Sequence, residues 1–312
     1  MTKQDKIILT GAAGLVGQNL VVQLKKKGYR NIVAIDKHAY NLKILKQLHP
    51  DVETVLADLA EGNKQDVFEN AACVVMLHAQ ITGKHSELFT RNNITATERV
   101  LEAIHQYKIP FTVHISSSVV NSVAADDYTT TKKHQEKMVV KSGIKQCVLR
   151  PTLMFGWFDP KHLGWLSRFM ERIPVFPIPG DGRYMRQPLY NKDFCRMIIH
   201  CIENQPDGVI YDVVGNEQVD YVDIIRTIKK VKKLKTLIIH IPYWLFYALL
   251  KIYAVFSRKP PFTADQLKAL IAGDHFTGVN TEEVFKVKQI SFEGAIRETF
   301  CDEEYSHIVL KR

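Results

Sequence analysis

Through the first half of the chain, short apolar runs alternate with stretches in which apolar residues recur every three or four positions. Residues 7–9, 31–35, 52–56, 73–77, 111–115 and 146–149 read as strands. Between them, 18–27 reads as a helix stopped at Gly28. Residues 41–48 carry Leu42, Leu45 and Leu48 at helical spacing, and 93–107 present Ile94, Val100, Leu101 and Ile104 on one face. A short helical segment is expected around Val67 and Phe68, and a further helix over 132–142, stopped by Gly143. Strand and helix in repetition, with short links, predict an α/β fold: a doubly wound parallel sheet with right-handed crossovers. Residues 1–160 are assigned to that sheet and 161–312 mainly to a smaller mixed lobe. Within the lobe, 209–214 is a strand that could return to the sheet.

The second half is less regular. Pro174, Pro177 and Pro179 with Gly180 and Gly182 predict a rigid loop presenting Arg183 and Arg186. Residues 222–233 read as a helix ending in the basic run KKVKK, a solvated helix end that complements the helix dipole. Thr263 and Gln266 fit a capping box for a helix to Ala272, and Ser291 caps the final helix. From Ile241 to Phe256 the sequence IPYWLFYALLKIYAVF is too short, and too interrupted by Lys251, for a membrane span of about 20 apolar residues. A buried helix of the smaller lobe is the leading explanation; an interfacial helix touching a membrane, or a homodimer surface, are the others.

The first strand leads into TGAAGLVG, with Gly11, Gly14 and Gly17 at three-residue intervals. A strand, a tight turn and a helix whose first N–H groups point outward suit a pyrophosphate. Gly11 would permit the turn, Gly14 the approach of phosphates and Gly17 close packing of helix on strand. The second strand ends in Asp36, placed to accept from both ribose hydroxyls of an adenosine, which favours NAD over NADP. Lys37 softens that preference.

Further along, Tyr128 and Lys132 stand four apart, on one face of a helix. An ammonium beside a phenol lowers the phenol's pKa and makes it a usable proton acceptor. A serine from the end of the fifth strand, within Ser116 to Ser118, could hold a substrate oxygen against it. That set suits removal of a hydroxyl proton while hydride leaves the same carbon for a nicotinamide.

These pieces resemble an extended short-chain dehydrogenase/reductase of the NAD-dependent epimerase/dehydratase family. The matching segments are TGAAGLVG, Asp36, ADL at 57–59, LHAQ at 77–80, NNITAT at 92–97, HISSS at 114–118, YTTTK, LRPTLMFG at 149–156, RQPLYNKDF at 186–194, YDVVGNE at 211–217 and ISFEGAIRETF at 290–300. The resemblance implies a role for each. Tyr128 is the catalytic base or acid; Lys132 binds the nicotinamide ribose and tunes Tyr128; Ser118, or alternatively Ser117, orients the substrate oxygen. Cofactor contacts fall on Gly11, Ala13, Gly14, Leu15, Val16, Gly17 and Asp36, on Asp58 and Leu59 at the adenine, on His78 and Ala79, and on Pro151. Asn93 is structural, and Arg186 grips a nucleotide-sugar pyrophosphate. Only nine residues separate Ser118 from Tyr128, which implies an open site. Gln80 and Thr82 stand where enzymes of the family often carry glycine or a catalytic helper, which leaves the extra acid and base of a dehydratase without an assignment, so oxidation, reduction or 4-epimerisation is favoured over dehydration.

The resulting expectation is an NAD-dependent sugar-nucleotide epimerase or ketoreductase. The alternatives are a hydroxysteroid-dehydrogenase-like oxidoreductase on an apolar or lipid-linked alcohol, and a non-catalytic NAD(P)-binding accessory subunit such as that of respiratory complex I. Retention of Ser118, Tyr128 and Lys132 argues against the last.

Composition changes this picture only at the margins. The chain has 312 residues, 46% hydrophobic and 24% charged, ordinary for a soluble globular protein. Its 42 basic against 33 acidic residues give a net charge of +9, suited to an anionic substrate or a membrane surface. Without a recognition motif it does not imply nucleic acid. Cys73, Cys147, Cys195, Cys201 and Cys301 form no C-x-x-C pair and read as buried thiols of a reducing compartment. No metal site is expected. The first strand follows MTKQDK directly, leaving no room for a signal peptide, so a cytoplasmic location is expected, with membrane association through Ile241 to Phe256 as a variant of it.

Overall fold

The structure, a computed structural model, describes residues 1–256, 267, 270, 271, 273 and 276–311. The capping box expected at Thr263 and Gln266, and its helix end at Ala272, lie outside the described residues.

The first half runs β1 (Lys6–Thr10), α1 (Leu15–Lys26), β2 (Ile32–Asp36), α2 (Ala39–Leu48), β3 (Glu53–Leu56), β4 (Ala71–Met76), α3 (Ser86–Phe89), α4 (Ala96–Gln106), β5 (Thr112–Ile115), α5 (Asp127–Lys141) and β6 (Gln146–Pro151). The second half adds β7 (Met154–Phe155), α6 (His162–Arg172), β8 (Val175–Pro179), β9 (Met185–Arg186), β10 (Leu189–Tyr190), α7 (Asn191–Asn204), β11 (Val209–Val213), β12 (Val219–Asp220), α8 (Tyr221–Val231), β13 (Leu237–Ile241) and α9 (Tyr243–Phe256). Two last helices, Thr281–Phe285 and Phe292–Cys301, follow.

Seven strands form one parallel sheet in the order β11-β6-β5-β4-β1-β2-β3. The order in which strands are added reverses between β1 and β4, and their carboxyl ends open a crevice there, where doubly wound sheets bind ligands. Successive residues of β1 point to opposite faces: Ile7 and Leu9 join a core with Leu20, Leu24 and Ile198, while Ile8 joins Val74, Val100 and Ile104 on the other side. Both faces are covered by helices, so the central strands carry apolar residues on both sides. Val209–Val213 pairs in parallel with β6, which brings the second half of the chain back to the sheet edge. The smaller lobe has its own core, with Leu166, Met170, Phe176, Ile225, Ile228, Phe292 and Ile296. Ser291 caps the final helix, its Oγ accepting from the Gly294 N–H at 3.2 Å.

Three expectations change. The proline-rich stretch is not a loop but contains β8, which pairs in parallel with β13 alone. A two-stranded edge leaves one side unpaired, and there proline's missing N–H costs no ladder bond. The apolar stretch 241–256 is not a buried helix: none of residues 241–253 is buried. Cys301 is exposed, whereas the other four cysteines are buried as free thiols.

Candidate cofactor and catalytic site

A cavity of about 500 Å³ lies at the crevice. Gly11, Gly14, Leu15, Val16 and Gly17 line it, with Asp36, Asp58 and Leu59 at one end and Ser116, Ser117, Ser118, Tyr128 and Lys132 at the other.

The glycine turn is shaped by close approach. Gly11 has φ +68°, and a Cβ there would lie 2.7 Å from the His78 backbone; one on Gly17 would lie 2.3 Å from the Ala12 carbonyl oxygen. The ladder of α1 begins with Gln18 N–H on the Gly14 carbonyl. The N–H groups of Leu15, Val16 and Gly17 precede that ladder and line the cavity, an arrangement that fits a pyrophosphate. Ala13 is absent from the lining; its N–H donates to Asp36 Oδ2 at 2.9 Å. The other Asp36 oxygen accepts from His38 N–H at 2.8 Å. Burial raises the Asp36 pKa despite these donors. Each carboxylate oxygen has a second lone pair, so the group that fixes the turn can also accept from a ribose.

At Asp58, partial burial opposes ionisation, but the Ala60 N–H, Lys37 and Arg91 outweigh it and lower the pKa. Arg91 Nη2 stands 3.2 Å from its carboxylate. His78 and Ala79 line the cavity, yet the His78 ring turns inward. Its Nδ1 is 2.8 Å from Thr10 Oγ1 and its Nε2 is 3.0 Å from Thr97 Oγ1. Burial, with the Lys132 charge nearby, lowers its pKa to about 3, so it is neutral and structural.

The same network runs on to the catalytic end. Gln135 Nε2 donates to Thr97 Oγ1 at 2.9 Å, and Lys132 Nζ donates to Gln135 Oε1 at 2.6 Å and to the Ile115 carbonyl at 3.0 Å. Lys132 is fully buried. Burial lowers its pKa to about 7, with Glu136 opposing. The Tyr128 phenol moves the other way: burial raises its pKa, a hydrogen bond with Ser117 opposes that, and Asp126 adds to it. The expected lowering by Lys132 is therefore not present, because the ammonium is turned toward Ile115 and Gln135. Ser118 opens a short 3-10 turn, and Ser117 caps it by accepting from Val119 N–H. Ser116 is a third case: its hydroxyl donates to Glu136, which also receives Arg150 Nε at 2.9 Å.

The cavity does not reach Arg186. That residue sits on β9 and donates from Nη2 to the Leu270 carbonyl at 2.7 Å. Pro151, at the end of β6, does line the cavity.

The helix expected over 93–107 is preceded by a π turn at Thr90–Thr95, and Asn93 stands in that turn. Fully buried, Asn93 accepts from Gln80 N–H at 2.6 Å and donates to Gln80 O at 3.2 Å and Thr131 Oγ1 at 2.9 Å. It ties the loop after β4 to the helix that carries Tyr128. Sequence reasoning missed Ile81, Val119, Leu153, Met154 and Phe276, which add apolar walls to the same cavity. Their types carry no chemical signature, and only the fold gathers them.

The profile described as NAD dependent epimerase/dehydratase family matches residues 7–214. An uncharacterized UDP-glucose epimerase of Bacillus subtilis, YtcB, is 28% identical over 222 residues, covering 60% of this chain and 69% of that protein. A 4-hydroxy-2-methyl-3-oxo-4-farnesyl-3,4-dihydroquinoline-1-oxide ketoreductase of Stigmatella aurantiaca is 25% identical over 231 residues, covering 66% and 67%. Among solved structures, the UDP-glucose 4-epimerase of Thermotoga maritima, crystallised with UDP-glucose, superposes with a TM-score of 0.74 at 18% identity, over 94% of this chain and 97% of that one. That likeness shows the fold.

Proposed function

The chain belongs to the NAD dependent epimerase/dehydratase family, and on that premise we propose that it is an NAD-dependent epimerase or ketoreductase acting on a carbinol of a nucleotide sugar. One observation carries the reading: a single cavity gathers the glycine turn, Asp36, the serine-tipped end of β5, Tyr128 and Lys132.

In this reading the turn and the first N–H groups of α1 hold the pyrophosphate, Asp36 the adenosine ribose, and Asp58 and Leu59 the adenine edge. NAD, when bound, supplies a hydride acceptor and a positively charged ring. Tyr128 takes the proton of the substrate hydroxyl at its phenol oxygen. Ser118 or Ser117 orients that hydroxyl, Ser117 being the one whose side chain opposes the rise of the phenol's pKa. Lys132, anchored on Ile115 and Gln135, has a third N–H for the nicotinamide ribose. Arg186 enters as the contact for a nucleotide-sugar pyrophosphate, a ligand long enough to extend beyond the cavity lining. Ile81, Val119, Leu153, Met154 and Phe276 exclude water from the reacting end.

Those same apolar walls favour a second reading, an oxidoreductase on an apolar or lipid-linked alcohol. The ketoreductase relative, named for a farnesyl-bearing substrate, supports it. The exposed residues between Tyr243 and Tyr253 favour membrane contact over a buried role for that helix.

Thermal unfolding with NAD, NADP and a panel of UDP-, dTDP- and GDP-sugars tests the choice, because a ligand of the native state raises the melting temperature according to its saturation. A shift from NAD together with one nucleotide class supports the nucleotide-sugar reading; a shift from NAD alone moves the assignment to the apolar alcohol. Tyr128→Phe is expected to bind NAD normally and lose turnover. Full turnover by that variant removes Tyr128 from the mechanism.

A further inference from the structure

Helix α9 is apolar almost all round, yet it lies on the surface. Trp244 is 69% exposed, Ile252 57%, Tyr253 50% and Leu249 48%, with Tyr243 and Leu245 also exposed. At 3.6 residues per turn, Trp244, Leu245, Leu249, Ile252 and Tyr253 fall along one broad face, with exposed Lys251 at its margin. The next strand, β13, is apolar and exposed too: Leu237 is 57% exposed beside Val175 of β8, itself exposed, and Ile239 on the same side is exposed as well.

A basic edge meets β13 as well. Arg226, Lys229, Lys230 and Lys233 of α8 and its exit share a shallow depression with Leu234 and with Ile238 of β13. Arg226 pairs with Asp223 and Lys230 with Glu293. Lys229, Lys233 and Lys235 make no salt bridge among the described residues. At about 1.5 Å per residue, the 14 residues of α9 reach roughly 21 Å, short of the ~30 Å hydrocarbon core. Among the described residues no helix is long and apolar enough to cross a membrane.

We propose that α9, β13 and the basic edge of α8 form a docking surface for an anionic lipid bilayer. The apolar and aromatic side chains enter the boundary between headgroups and acyl chains, and the lysines meet the lipid phosphates. Charge decides the occupant. A second copy of this chain would set one lysine cluster beside another, whereas an anionic bilayer neutralises both the cluster and the net charge of +9. The docking goes beyond the catalytic reading and holds whichever alcohol Tyr128 acts on.

The test uses the full chain with sedimentable vesicles of phosphatidylcholine alone or with about a third phosphatidylglycerol, since anionic lipid is what attracts basic segments. The expected result is partition at least ~25-fold stronger to the anionic vesicles, about fivefold for each of two lysines, weakened by salt, with a blue shift of tryptophan emission. Leu249→Ser with Ile252→Ser is expected to lower that partition at least ~10-fold, because it removes two apolar anchors. The lipid-free melting curve of this variant should stay as in the wild type. As a second arm, Lys229→Glu with Lys233→Glu is expected to cut the anionic preference about 25-fold, from about fivefold per lysine. Failure to sediment with anionic vesicles overturns the proposal, as does undiminished binding by both variants. A concentration-dependent dimer in lipid-free solution, dissolved by the serine variant and accompanied by no vesicle binding, also overturns it and assigns the face to a second copy.

Discussion

Alanine at Gly14 and alanine at Gly11 separate what the glycine turn does for the ligand from what it does for the fold. Gly14 has φ −80° and ψ 178°, a conformation open to any L-residue, and a Cβ there would meet only the Gly11 carbonyl oxygen, at 3.3 Å. Reduced freedom of the unfolded chain favours alanine by about 0.4–1 kcal/mol, and its poorer N-cap propensity takes back a similar amount. The melting temperature should then stay within about 2 °C of wild type. On the proposed placement of the pyrophosphate the added methyl group stands in its way, so NAD affinity should fall about 100-fold, equivalent to ~2.7 kcal/mol. Gly11 differs on both counts. Its φ of +68° costs alanine about 1–2 kcal/mol. A Cβ 2.7 Å from the His78 backbone must also push β1 from the end of β4. Together they amount to about 3–5 kcal/mol, a fall in melting temperature of about 6–15 °C. Calorimetric titration of NAD and lipid-free thermal unfolding of both variants provide the comparison. Wild-type NAD affinity in Gly14→Ala would refute the placement of the pyrophosphate, and an unchanged melting temperature in Gly11→Ala would refute the account of the turn.

Three other perturbations have defined outcomes. Lys132 gives up its proton at about 7 in the folded chain, against an ordinary value of 10.5. Between those values the unfolded chain binds more protons, so this group's contribution makes stability rise with pH by up to about 1.4 kcal/mol per unit and fall as pH drops toward 7. Lys132→Met should flatten the stability profile across that window, and an identical slope in the variant would sink the assignment. Asp36→Ala should weaken NAD at least ~10-fold and bring the NAD and NADP dissociation constants together, because it removes the ribose acceptor and the charge facing a 2'-phosphate; a retained ratio would place selectivity elsewhere. Asn93→Ala removes the side-chain partner of the Gln80 backbone N–H and carbonyl, and one contact of the Thr131 hydroxyl, which keeps its bond to the Asp127 carbonyl. It should cost about 2–3 kcal/mol in denaturant unfolding, and a loss below about 0.5 kcal/mol would mean that the π turn is held by other contacts.

The sheet was legible because its central strands are buried on both faces and bounded by turn residues. Asp36, Tyr128 and the Ser116–Ser118 triplet could be placed at strand ends or on one helix turn from spacing alone. Helix α5 starts earlier than its apolar periodicity suggests, since Asp126 caps it through the Thr129 N–H at 3.0 Å and its first turn is polar. That shift puts Tyr128 inside the helix. Strand β8 was hidden by its prolines, whose tolerance depends on the edge being unpaired, a fact of topology. Helix α9 misled for a related reason: an apolar run records what its surface prefers to touch, and says nothing about whether this chain supplies the contact. The inward turn of His78 was beyond reach as well, because Thr10 and Thr97 come together only in the folded sheet.

Electrostatics at the reacting end carries the largest consequence. The sequence places an ammonium and a phenol one helical turn apart, and that spacing alone would make Tyr128 a stronger acid. In the folded chain, burial acts on both groups at once and favours their neutral forms, raising the phenol and lowering the lysine. Gln135 and the Ile115 carbonyl hold the ammonium, so the charge that would ionise the phenol has to enter the cavity from outside. Of the two redox forms of NAD, only the oxidised one carries a positive ring. The ultraviolet phenolate signal of Tyr128, isolated as the difference between wild type and Tyr128→Phe, should therefore appear above the ordinary tyrosine range in the free protein. Saturating oxidised cofactor should move it downward, while the reduced form leaves it in place. A free protein in which Tyr128 already ionises well below the ordinary range would refute the argument, and would return the tuning of the phenol to Lys132.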